Sequence, residues 1–595
     1  MHISKIFPQD LRQVFTFLDE TARRKLIRIT FFQSIFAILD LAAVVLVGVI
    51  GSMAVLGIQS KESKFSLILR FLRIENFTFQ QQIAILSIFA TILLISKTSI
   101  SAFVVWRTTR YYSFLAVSIS GELIRKFLKQ PINRITASST QHNLYGLVSG
   151  VNSLVLGVVA NLSTLISDSV LIVLMTTTLF IADPVMAVLA IIIFGSVAFL
   201  LHVTVGMKSR RIAENLIPKS VELNEVLLST FEGFRELFVS NRLEQRQSRI
   251  ADSMKNLASL SFKQSFLPYV SKFLIEIVLV LSIIIFSSVQ FLLNDVVGSA
   301  GTLGLFLAAS SRIAPAALRI QQGVSGVMNG IGGGKATIEM NRELDEYMNR
   351  NEQLQEINSY NNKRIMRNAP AVSFNDVSFS YKKNTNLLEG LNFKIEQGER
   401  ILLLGKSGEG KSTLVDLMLG LLVPNKGEVK LLGRSPRDLI QLFPNYVSYM
   451  PQQPYLFRGT IRDNILDCTG SIPDQLIWKA LETVQMRTFV EKLPGKLDGL
   501  VSENGKNLSG GQKQRLNLAR TLLTESKLLI LDEATSALDL MTEAKILDQI
   551  LMNQKIETLI VIAHKFENVS MFNRVGIIKG GELSFVSSKE KNGRY

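Results

Sequence analysis

The sequence predicts a two-part fold: an α-helical membrane domain with six spans, followed by an α/β domain with a largely parallel sheet. Six apolar stretches long enough to cross a bilayer lie before residue 330, and short apolar runs alternate with helical patterns after residue 370. The mean hydropathy of +0.28 is high for a chain in which 19% of the residues are charged. A membrane half and a soluble half together explain these values.

Basic residues predict the orientation of the spans. Lys and Arg cluster before the first span, after the second and after the fourth, which places these three sides in the cytoplasm. The connections at Asp183–Pro184 and at 294–295 contain neither Lys nor Arg, as expected of the opposite side. The loop 61–75 does not fit this orientation, because it is basic although it lies on the side opposite the cytoplasm. Its apolar residues predict a short helix in the headgroup region. The predicted spans are 31–58, 83–106, 153–181, 184–206, 266–292 and 297–327.

The net charge of +16 fits either a nucleic-acid-binding protein or a membrane protein with basic cytoplasmic loops. Six spans favour the membrane protein, so nucleic acid is not an expected partner. Cys468 is the single cysteine, which excludes a disulfide within one chain and multi-cysteine zinc sites. The N-terminus lacks a short apolar segment followed by small residues, so we expect no removable signal peptide.

The composition divides the chain into three parts. Residues 1–345 are predicted to form the membrane domain, with the connections 107–150 and 207–265 continuing as helices beyond the bilayer. A polar, Asn-rich linker is predicted over 346–369. The α/β domain is predicted over 370–595, where strand-like runs such as RILLLG and TLIVIAH alternate with helical patterns.

A phosphate-binding motif lies near the start of the α/β domain. Residues 400–405 are typical of a strand and lead into G-x-x-x-x-G-K-S and then a helical run, LVDLMLGLL. The glycines let consecutive backbone N–H groups converge on phosphate oxygens at a helix N-terminus. Lys411 is expected to reach the β- and γ-phosphates of ATP, and the Ser412 hydroxyl to bind Mg²⁺. The predicted loop residues are Gly405, Ser407, Gly408, Gly410, Lys411, Ser412 and Thr413.

Two carboxylates follow another predicted strand. The apolar run 528–531 ends in Asp532 and Glu533, where a strand end would place both beside the phosphate loop. Asp532 is suited to hold Mg²⁺ through water, and Glu533 to orient or deprotonate the attacking water. A further strand ends in His564, within reach of the γ-phosphate, although a strand-end histidine considered alone is more often structural.

The pentapeptide LSGGQ at 508–512 precedes a helical run and lies upstream of Asp532. With it, the segment 370–590 resembles the ATP-binding-cassette (ABC) family. The resemblance implies the P-loop cassette fold of that family, ATP and Mg²⁺ as cofactors, and ATP hydrolysis as the reaction. The catalytic residues expected from this pattern are Lys411, Gln452, Glu533 and His564.

The resemblance assigns further positions of the cassette. Tyr381 is expected to stack on adenine, and Gln452 is the switch glutamine and a Mg²⁺ ligand beside Ser412 and Asp532. His564 becomes the switch histidine, and the expected SALD segment follows the acidic pair. Gln453 departs from the family, in which an acidic residue often follows the switch glutamine.

The signature segment, Ser509, Gly510, Gly511 and Gln512, stands before a helix, so its N–H groups and the positive helix end form an anion site. In the family this site closes on ATP bound to the other cassette, which implies a head-to-tail pair with two ATP molecules. One chain contains one cassette, so two chains are needed, and we expect a homodimer rather than a heterodimer.

Six spans ahead of one cassette resemble the half-transporter exporter architecture. The stretches 133–143 and 231–241 fall where that family places coupling helices, which dock on the cassette. Glu503, just before the signature, corresponds in position to the family's cross-contact glutamate. The resemblance thus implies an exporter-type transmembrane domain.

Ionisable residues at membrane depth indicate a substrate site, because each costs about 3 kcal/mol at the bilayer centre. Arg312 and Arg319 lie on one face of the sixth span, and a dimer would gather four guanidiniums around a cavity suited to phosphate or pyrophosphate. The alternative is that Arg312 or Arg319 forms an internal ion pair with Asp168 or Glu276. The full set is Asp40, Lys97, Asp168, Lys272, Glu276, Arg312 and Arg319.

The sixth span, FLAASSRIAPAALRIQ, resembles that of bacterial flippases for lipid-linked oligosaccharides, whose substrates carry a polyprenyl pyrophosphate. The resemblance implies an ATP-driven exporter or flippase of an amphipathic anionic lipid in the inner (cytoplasmic) membrane, with the N-terminus and the ATPase domain in the cytoplasm. Multidrug, lipid A and peptide exporters of the same architecture are the alternatives. A nucleotide-gated regulator or channel is a further one, which the presence of both Glu533 and His564 disfavours.

Overall fold

The structure is a computed structural model, and it consists of two compact units. The first unit contains Met1–Gln130 and Thr136–Gln355, and the second contains Pro131–Ile135 and Glu356–Tyr595. Cys468 and the loop 61–75 lie outside the described residues. The structure describes residues 9–56, 77–293, 296–358, 369–381, 387–467, 470, 472–524, 526–534, 538–564 and 569–587.

Long apolar helices form the first unit. In the described part of the chain, five helical stretches are long and apolar enough to cross a membrane, and the first five predicted spans fall on them. The sixth predicted span lies on the last long helix, in which the side chains of 296–305 are not described. The helices are α1 (Gln9–Thr16), α2 (Glu20–Leu56), α3 (Phe79–Phe127), α4 (Ile132–Ile135), α5 (Thr140–Leu144), α6 (Gly150–Asn152), α7 (Ala160–Ala182), α8 (Pro184–Leu201), α9 (Met207–Glu232), α10 (Phe234–Val239), α11 (Leu243–Leu293) and α12 (Val296–Asn358).

The helices continue beyond the predicted spans, as the sequence indicates. Helix α3 extends to Phe127, and α12 continues to Asn358, inside the segment predicted as a linker. The turn between α7 and α8 is fixed by Asp183, whose carboxylate accepts the N–H groups of Val185 (3.0 Å) and Met186 (3.3 Å). Pro184 occupies the first turn of α8, where its missing N–H costs no hydrogen bond.

The second unit is built on a largely parallel sheet, which confirms the predicted fold class. Its strand order is β11-β10-β3-β9-β8-β5, and only β11 runs antiparallel to its neighbour. A separate antiparallel sheet has the order β2-β1-β4, and β6 pairs with β7. The strands are β1 (Val372–Phe379), β2 (Leu388–Ile395), β3 (Arg400–Leu404), β4 (Lys426–Leu431), β5 (Val447–Met450), β6 (Gly459–Thr460), β7 (Leu500–Val501), β8 (Leu528–Asp532), β9 (Thr558–Ala563), β10 (Arg574–Lys579) and β11 (Glu582–Ser587).

Helices cover the central strands of this sheet. Strands β3 and β8 are buried along almost their whole length, which explains why both read as continuous apolar runs rather than alternating ones. The helices of this unit are α13 (Lys411–Met418), α14 (Pro436–Leu442), α15 (Ile461–Leu466), α16 (Asp474–Thr483), α17 (Arg487–Glu491), α18 (Gly510–Leu523) and α19 (Leu540–Leu551).

The short helix α4 belongs to the second unit, although it lies far from it in sequence. The backbone N–H of Ile132 donates to the carbonyl oxygen of Leu421 at 3.0 Å, and the Ile132 side chain packs against the core of this unit. Ile132 lies just before the stretch 133–143, whose role as a coupling helix stays a prediction.

Glycines let α12 approach a π-helical segment, Ser153–Val159, very closely. A Cβ atom on Gly330 would lie 2.7 Å from the carbonyl oxygen of Ser153 and 2.8 Å from the backbone of Gly157, closer than real Cβ atoms come to other atoms. Such small-residue contacts are typical of helices that pack in membranes. The contact of Gly330 with Gly157 therefore depends on both residues lacking a side chain.

We expect Gly330→Ala to lower the free energy of unfolding by about 1–3 kcal/mol, because the added methyl group must push two backbones apart. Thermal unfolding of the purified full-length chain in detergent measures the effect. Gly121→Ala is the matched control, since a Cβ at Gly121 would contact no atom within 4 Å. Equal melting temperatures for the two variants would contradict the close packing at Gly330.

Candidate functional site

The phosphate motif connects β3 to α13. Gly408 and Gly410 have φ angles of +86° and +95°, in the left-handed region that glycine adopts at no steric cost. Helix α13 begins at Lys411, so the N–H groups of its first turn have no acceptor inside the helix. The loop therefore presents backbone donors to an anion, as the sequence predicts for 405–413.

Lys411 lies folded over this loop and is 6% exposed. Its ammonium donates to the carbonyl oxygens of Gly405 (2.7 Å) and Lys406 (3.1 Å), and Nδ1 of His564 lies 3.4 Å away. The ammonium thus lies between the loop and the end of β9, two sequence-distant parts of the predicted site.

Glu533 follows β8 directly and is held on both carboxylate oxygens. Nε2 of Gln452 donates to Oε2 at 2.6 Å, and Nε2 of His564 lies 2.9 Å from Oε1. If Nε2 of His564 carries the proton, its Nδ1 is an acceptor that faces Lys411. Glu533 also has φ +47°, an unusual value for a non-glycine residue and one found at functional sites. The residues expected to be catalytic thus form one connected cluster.

Asp532, the last residue of β8, is 3% exposed and accepts a hydrogen bond from the hydroxyl of Tyr449 at 3.3 Å. Burial raises the pKa of Asp532, and the neighbouring Glu533 raises it further. Burial, together with the charge of Asp532, raises the pKa of Asp416 to about 6. This crowding of carboxylates is the electrostatic setting in which a divalent cation binds favourably.

The residues present fit Mg²⁺ held largely by phosphate. In the described part of the chain, no three His, Cys, Asp or Glu side chains converge as a ligand set. Mg²⁺ usually takes one or two carboxylates together with substrate phosphates and waters. Asp532 and the Ser412 hydroxyl at the start of α13 match that pattern.

Tyr381, the residue expected to stack on adenine, is 59% exposed. Its hydroxyl lies 3.2 Å from Oγ1 of Thr413, and its ring meets Phe379 edge-on at 5.0 Å. These two contacts fix the ring beside the phosphate loop and leave much of its surface free for a base.

The signature segment caps α18. Oγ of Ser509 accepts the N–H of Gln512 at 3.3 Å, and the N–H of Ser509 donates to Oε1 of Gln512 at 2.9 Å, which is a capping box. Ser509 and Gly510 are exposed. Among the described contacts of this one chain, Ser509 and Gln512 bond to each other rather than to the phosphate loop.

Sequence reasoning missed three residues of this site. Glu409 lies inside the phosphate motif, and its carboxylate accepts the N–H of Lys406 at 2.7 Å, which braces the loop. Asp416 follows Ser412 by one helical turn, and Tyr449 lies on β5 beside Asp532. The spacing of Asp416 from Ser412 was a usable signal, whereas the pairing of β5 with β8 was needed to place Tyr449.

In the first unit, the membrane unit, Arg319 forms the ion pair that the sequence left as an alternative. Its guanidinium binds Asp168 through three hydrogen bonds of 2.7, 2.9 and 3.1 Å. Asp168 is 7% exposed, so its charge is neutralised almost entirely by this one partner. Glu276, the other partner considered, instead lies 3.8 Å from Lys272 on its own helix.

Arg312 is held more weakly. Asp40 pairs with Lys97 at 2.8 Å, and Nη1 of Arg312 lies 3.9 Å from the other carboxylate oxygen of Asp40. That oxygen, Oδ1, accepts no hydrogen bond from the described residues. Lys97 already neutralises Asp40, so Arg312 contributes the excess positive charge of this group.

We expect Asp416→Asn to raise the melting temperature of the nucleotide-free protein at pH 8. The pKa of Asp416 is about 6 in the folded chain against 3.8 ordinarily, so its favourable contribution is complete below pH 4 and is lost as the pH rises through 6. The gain should therefore shrink between pH 8 and pH 5. Asp548→Asn, at an exposed position of α19, serves as the control. A gain that does not depend on pH would contradict this account.

Residues 388–536 match the model of the ABC transporter family. The transport/processing ATP-binding protein ComA of Streptococcus pneumoniae is 35% identical over 36% of this chain and 30% of its own length. The ATP-dependent lipid A-core flippase of Desulfotalea psychrophila is 36% identical over 37% of this chain and 39% of its own length. The chain thus matches between 30% and 39% of the length of these curated relatives.

The fold is similar to that of a solved structure over nearly the whole chain. A bacterial Atm1-family ABC exporter with ATP bound superposes with a TM-score of 0.76 and covers 96% of both chains at 18% identity. At that identity the likeness shows the fold. Residues 388–536 are therefore similar to ABC transporter domains, and the chain as a whole has the fold of this solved exporter.

Proposed function

We propose that this protein is an ATP-driven membrane exporter or flippase that moves an amphipathic anionic lipid, most specifically a lipid-linked oligosaccharide, across the inner (cytoplasmic) membrane. The observation that carries the proposal is the cluster of Lys411, Gln452, Glu533 and His564 in a chain with an exporter fold. Residues 1–345 are the membrane domain, 346–369 the linker, and 370–595 the cytoplasmic ATPase domain.

Each side chain has a role that its position supports. The phosphate loop and Lys411 bind the β- and γ-phosphates of ATP, and Tyr381 stacks on adenine. Ser412, Gln452 and Asp532 hold Mg²⁺, which supplies neutralisation of phosphate charge when bound. The remaining loop contacts come from Gly405, Ser407, Gly408, Gly410 and Thr413.

Glu533 acts as the base that orients or deprotonates the attacking water. Its two oxygens bond to Gln452 and His564, so both partners can set the direction of the carboxylate. His564 also lies beside Lys411, where it senses the γ-phosphate. A regulator or channel that binds nucleotide without turnover needs no such base, and the complete cluster therefore favours hydrolysis.

The functional unit is a homodimer with two ATP molecules. The signature residues Ser509–Gln512 form an exposed helix start that is available to the nucleotide of a second copy. Helix α10 supports the same assembly, because Phe231, Phe234, Phe238 and Val239 around it are all more than half exposed. An apolar tip of this kind matches the expected coupling stretch 231–241, which would dock on the other copy.

The anionic head of the lipid binds at Arg312 rather than equally at both arginines. Arg319 is committed to Asp168 by three hydrogen bonds, whereas Arg312 has one distant carboxylate that Lys97 already neutralises. A phosphate or pyrophosphate can therefore engage Arg312 without leaving a buried carboxylate unpaired. The relatives named as lipid A-core flippases support a lipid substrate, and the relative named ComA keeps peptide export as the alternative.

We expect Glu533→Gln to reduce ATP hydrolysis about 100-fold or more, because the amide keeps the size of the side chain but cannot accept a proton. Binding of a fluorescent ATP analogue should be retained. Steady-state phosphate release from the full-length chain in liposomes measures the loss. Glu396→Gln, at an exposed turn after β2, is the matched control. Wild-type turnover by the Glu533 variant would show that Glu533 is not the base.

We expect Arg319→Ala and Arg312→Ala to fail in different ways. Loss of Arg319 leaves the buried charge of Asp168 unpaired and should lower the melting temperature. Asp168→Asn in the same chain should restore the melting temperature. Loss of Arg312 should leave the melting temperature and basal ATP hydrolysis near wild type but reduce lipid movement about tenfold or more.

Translocation of a dye-labelled, polyprenyl-pyrophosphate-linked glycan in proteoliposomes measures the expected loss of lipid movement in Arg312→Ala. A peptide substrate and an uncharged drug serve as comparison cargoes. Full glycan translocation by Arg312→Ala would refute the binding role, and movement of the peptide alone by the wild type would favour the peptide exporter.

A further inference from the structure

A basic patch lies on the outside of the first unit, where α2 and α3 pack side by side. The helices run antiparallel, because buried residues of 18–26 share a core cluster with those of 112–123, and those of 46–53 with those of 86–90. The start of α2 therefore lies beside the later part of α3. Four exposed side chains of these two segments form the basic patch: Lys25, Arg28, Arg107 and Arg110.

One direct contact fixes the level of the basic patch. The Lys25 ammonium lies 4.2 Å from the centre of the Tyr111 ring. Phe31, where the first predicted span begins, is six residues after Lys25, and Val105, at the end of the second predicted span, is six residues before Tyr111. Because the helices are antiparallel, both boundaries come to the same level, about 9 Å from this contact. The basic patch therefore lies at one surface of the predicted membrane, on the side predicted to be cytoplasmic.

The basic residues of each helix lie on one face of it. Successive residues of an α-helix are rotated by about 100°, so Arg28 lies about 60° from Lys25, and Arg107 lies about 40° from Tyr111. Arg28 and Arg107 are each about one turn closer to the membrane than the contact between Lys25 and Tyr111. They therefore occupy the next turn of the same seam between α2 and α3.

Aromatic rings surround the fourth cation. The Arg110 guanidinium lies 5.8 Å from the centre of the Trp106 ring and 5.8 Å from that of Phe114. Trp106 is 59% exposed, and its ring centroid lies 6.0 Å from that of Phe103. Tryptophan beside a cation at the end of an apolar stretch is typical of the boundary between membrane and water. Phe103 and Trp106 lie on the membrane side of Arg110, as the direction of α3 requires.

The positive charge of the basic patch is not neutralised within the described part of the chain. None of the ion pairs found there includes a residue of the basic patch. Glu20 is bound to Arg24 at 2.6 Å, and Asp19 interacts electrostatically with the Tyr111 hydroxyl. Both acids precede Lys25 in the chain, so they lie farther from the predicted membrane than Arg28 and Arg107 do.

We propose that the basic patch binds the phosphate groups of anionic phospholipids in the cytoplasmic leaflet of the membrane. The cations lie at the level of the phosphates, and the exposed rings of Phe103 and Trp106 lie at the level of the first part of the acyl chains. A second copy docked through the same face would place two basic patches against each other, which like charges oppose. These lipids are part of the surrounding membrane and are distinct from the cargo proposed to bind at Arg312.

The fluorescence of Trp106 tests the proposal, because this residue lies beside the basic patch. The sequence contains two tryptophans, so Trp478→Phe leaves Trp106 alone. The full-length variant is placed in vesicles of equal amounts of phosphatidylglycerol and phosphatidylcholine, with one or the other lipid brominated near its head group to quench a neighbouring tryptophan. We expect phosphatidylglycerol to bind beside Trp106 at least about fivefold more tightly, the factor that a single cation near the membrane surface supplies.

Further variants locate the lipid site. Arg28→Gln together with Arg107→Gln should lower the preference for phosphatidylglycerol at least about threefold. Arg125→Gln is the matched control, because it removes the same charge from an exposed position of α3 about 21 Å beyond Tyr111. Raising NaCl from about 0.1 M to about 1 M should lower the preference without any arginine substitution, since the Debye length falls from about 10 Å to about 3 Å.

Four results would overturn the proposal. These are equal binding of the two lipids beside Trp106, a preference unchanged in the double arginine variant, a preference that does not depend on salt, or the same loss in Arg125→Gln as in the double variant. The last result would mean that the net charge of the chain, rather than the basic patch, attracts the lipid. Because none of these readouts uses ATP hydrolysis or transport, they are independent of the proposed function.

Discussion

The candidate ATP site depends on one constraint, the parallel pairing of buried strands. Strands β3, β9 and β8 lie side by side and run in the same direction, so their carboxyl ends share one edge of the sheet. That edge brings together Lys411, Glu533 and His564, which are far apart in sequence. Apolar side chains on both faces of these strands hold the register, because a slip by one residue would exchange the two faces and disrupt the packing on each.

The membrane unit obeys a different constraint, the cost of an unpaired charge away from water. Asp168 is neutralised by one guanidinium, and Asp40 by an ammonium with a second cation nearby. The two arginines of the sixth span look equivalent in sequence, but their carboxylate partners make them different.

The sequence was sufficient to predict those parts of the site whose interacting residues lie close together in the chain. The phosphate loop needs glycines at left-handed positions followed by a helix start, and both Gly408 and Gly410 have that conformation. The capping box of Ser509 and Gln512 also lies within four residues. The partners of Asp40, by contrast, come from two other helices, so no spacing in the sequence could reveal them.

The sequence by itself determined the six apolar stretches, the fold class of both units and the residue types of the nucleotide site, because periodicity and short motifs encode them directly. Only the tertiary structure decided that Arg319 is bound to Asp168 while Arg312 is left in excess, and that Tyr449 joins the acidic end of β8. The physical reason is that ion pairs and unpaired buried atoms depend on which helices and strands become neighbours. Which elements become neighbours is set by the packing of each whole unit.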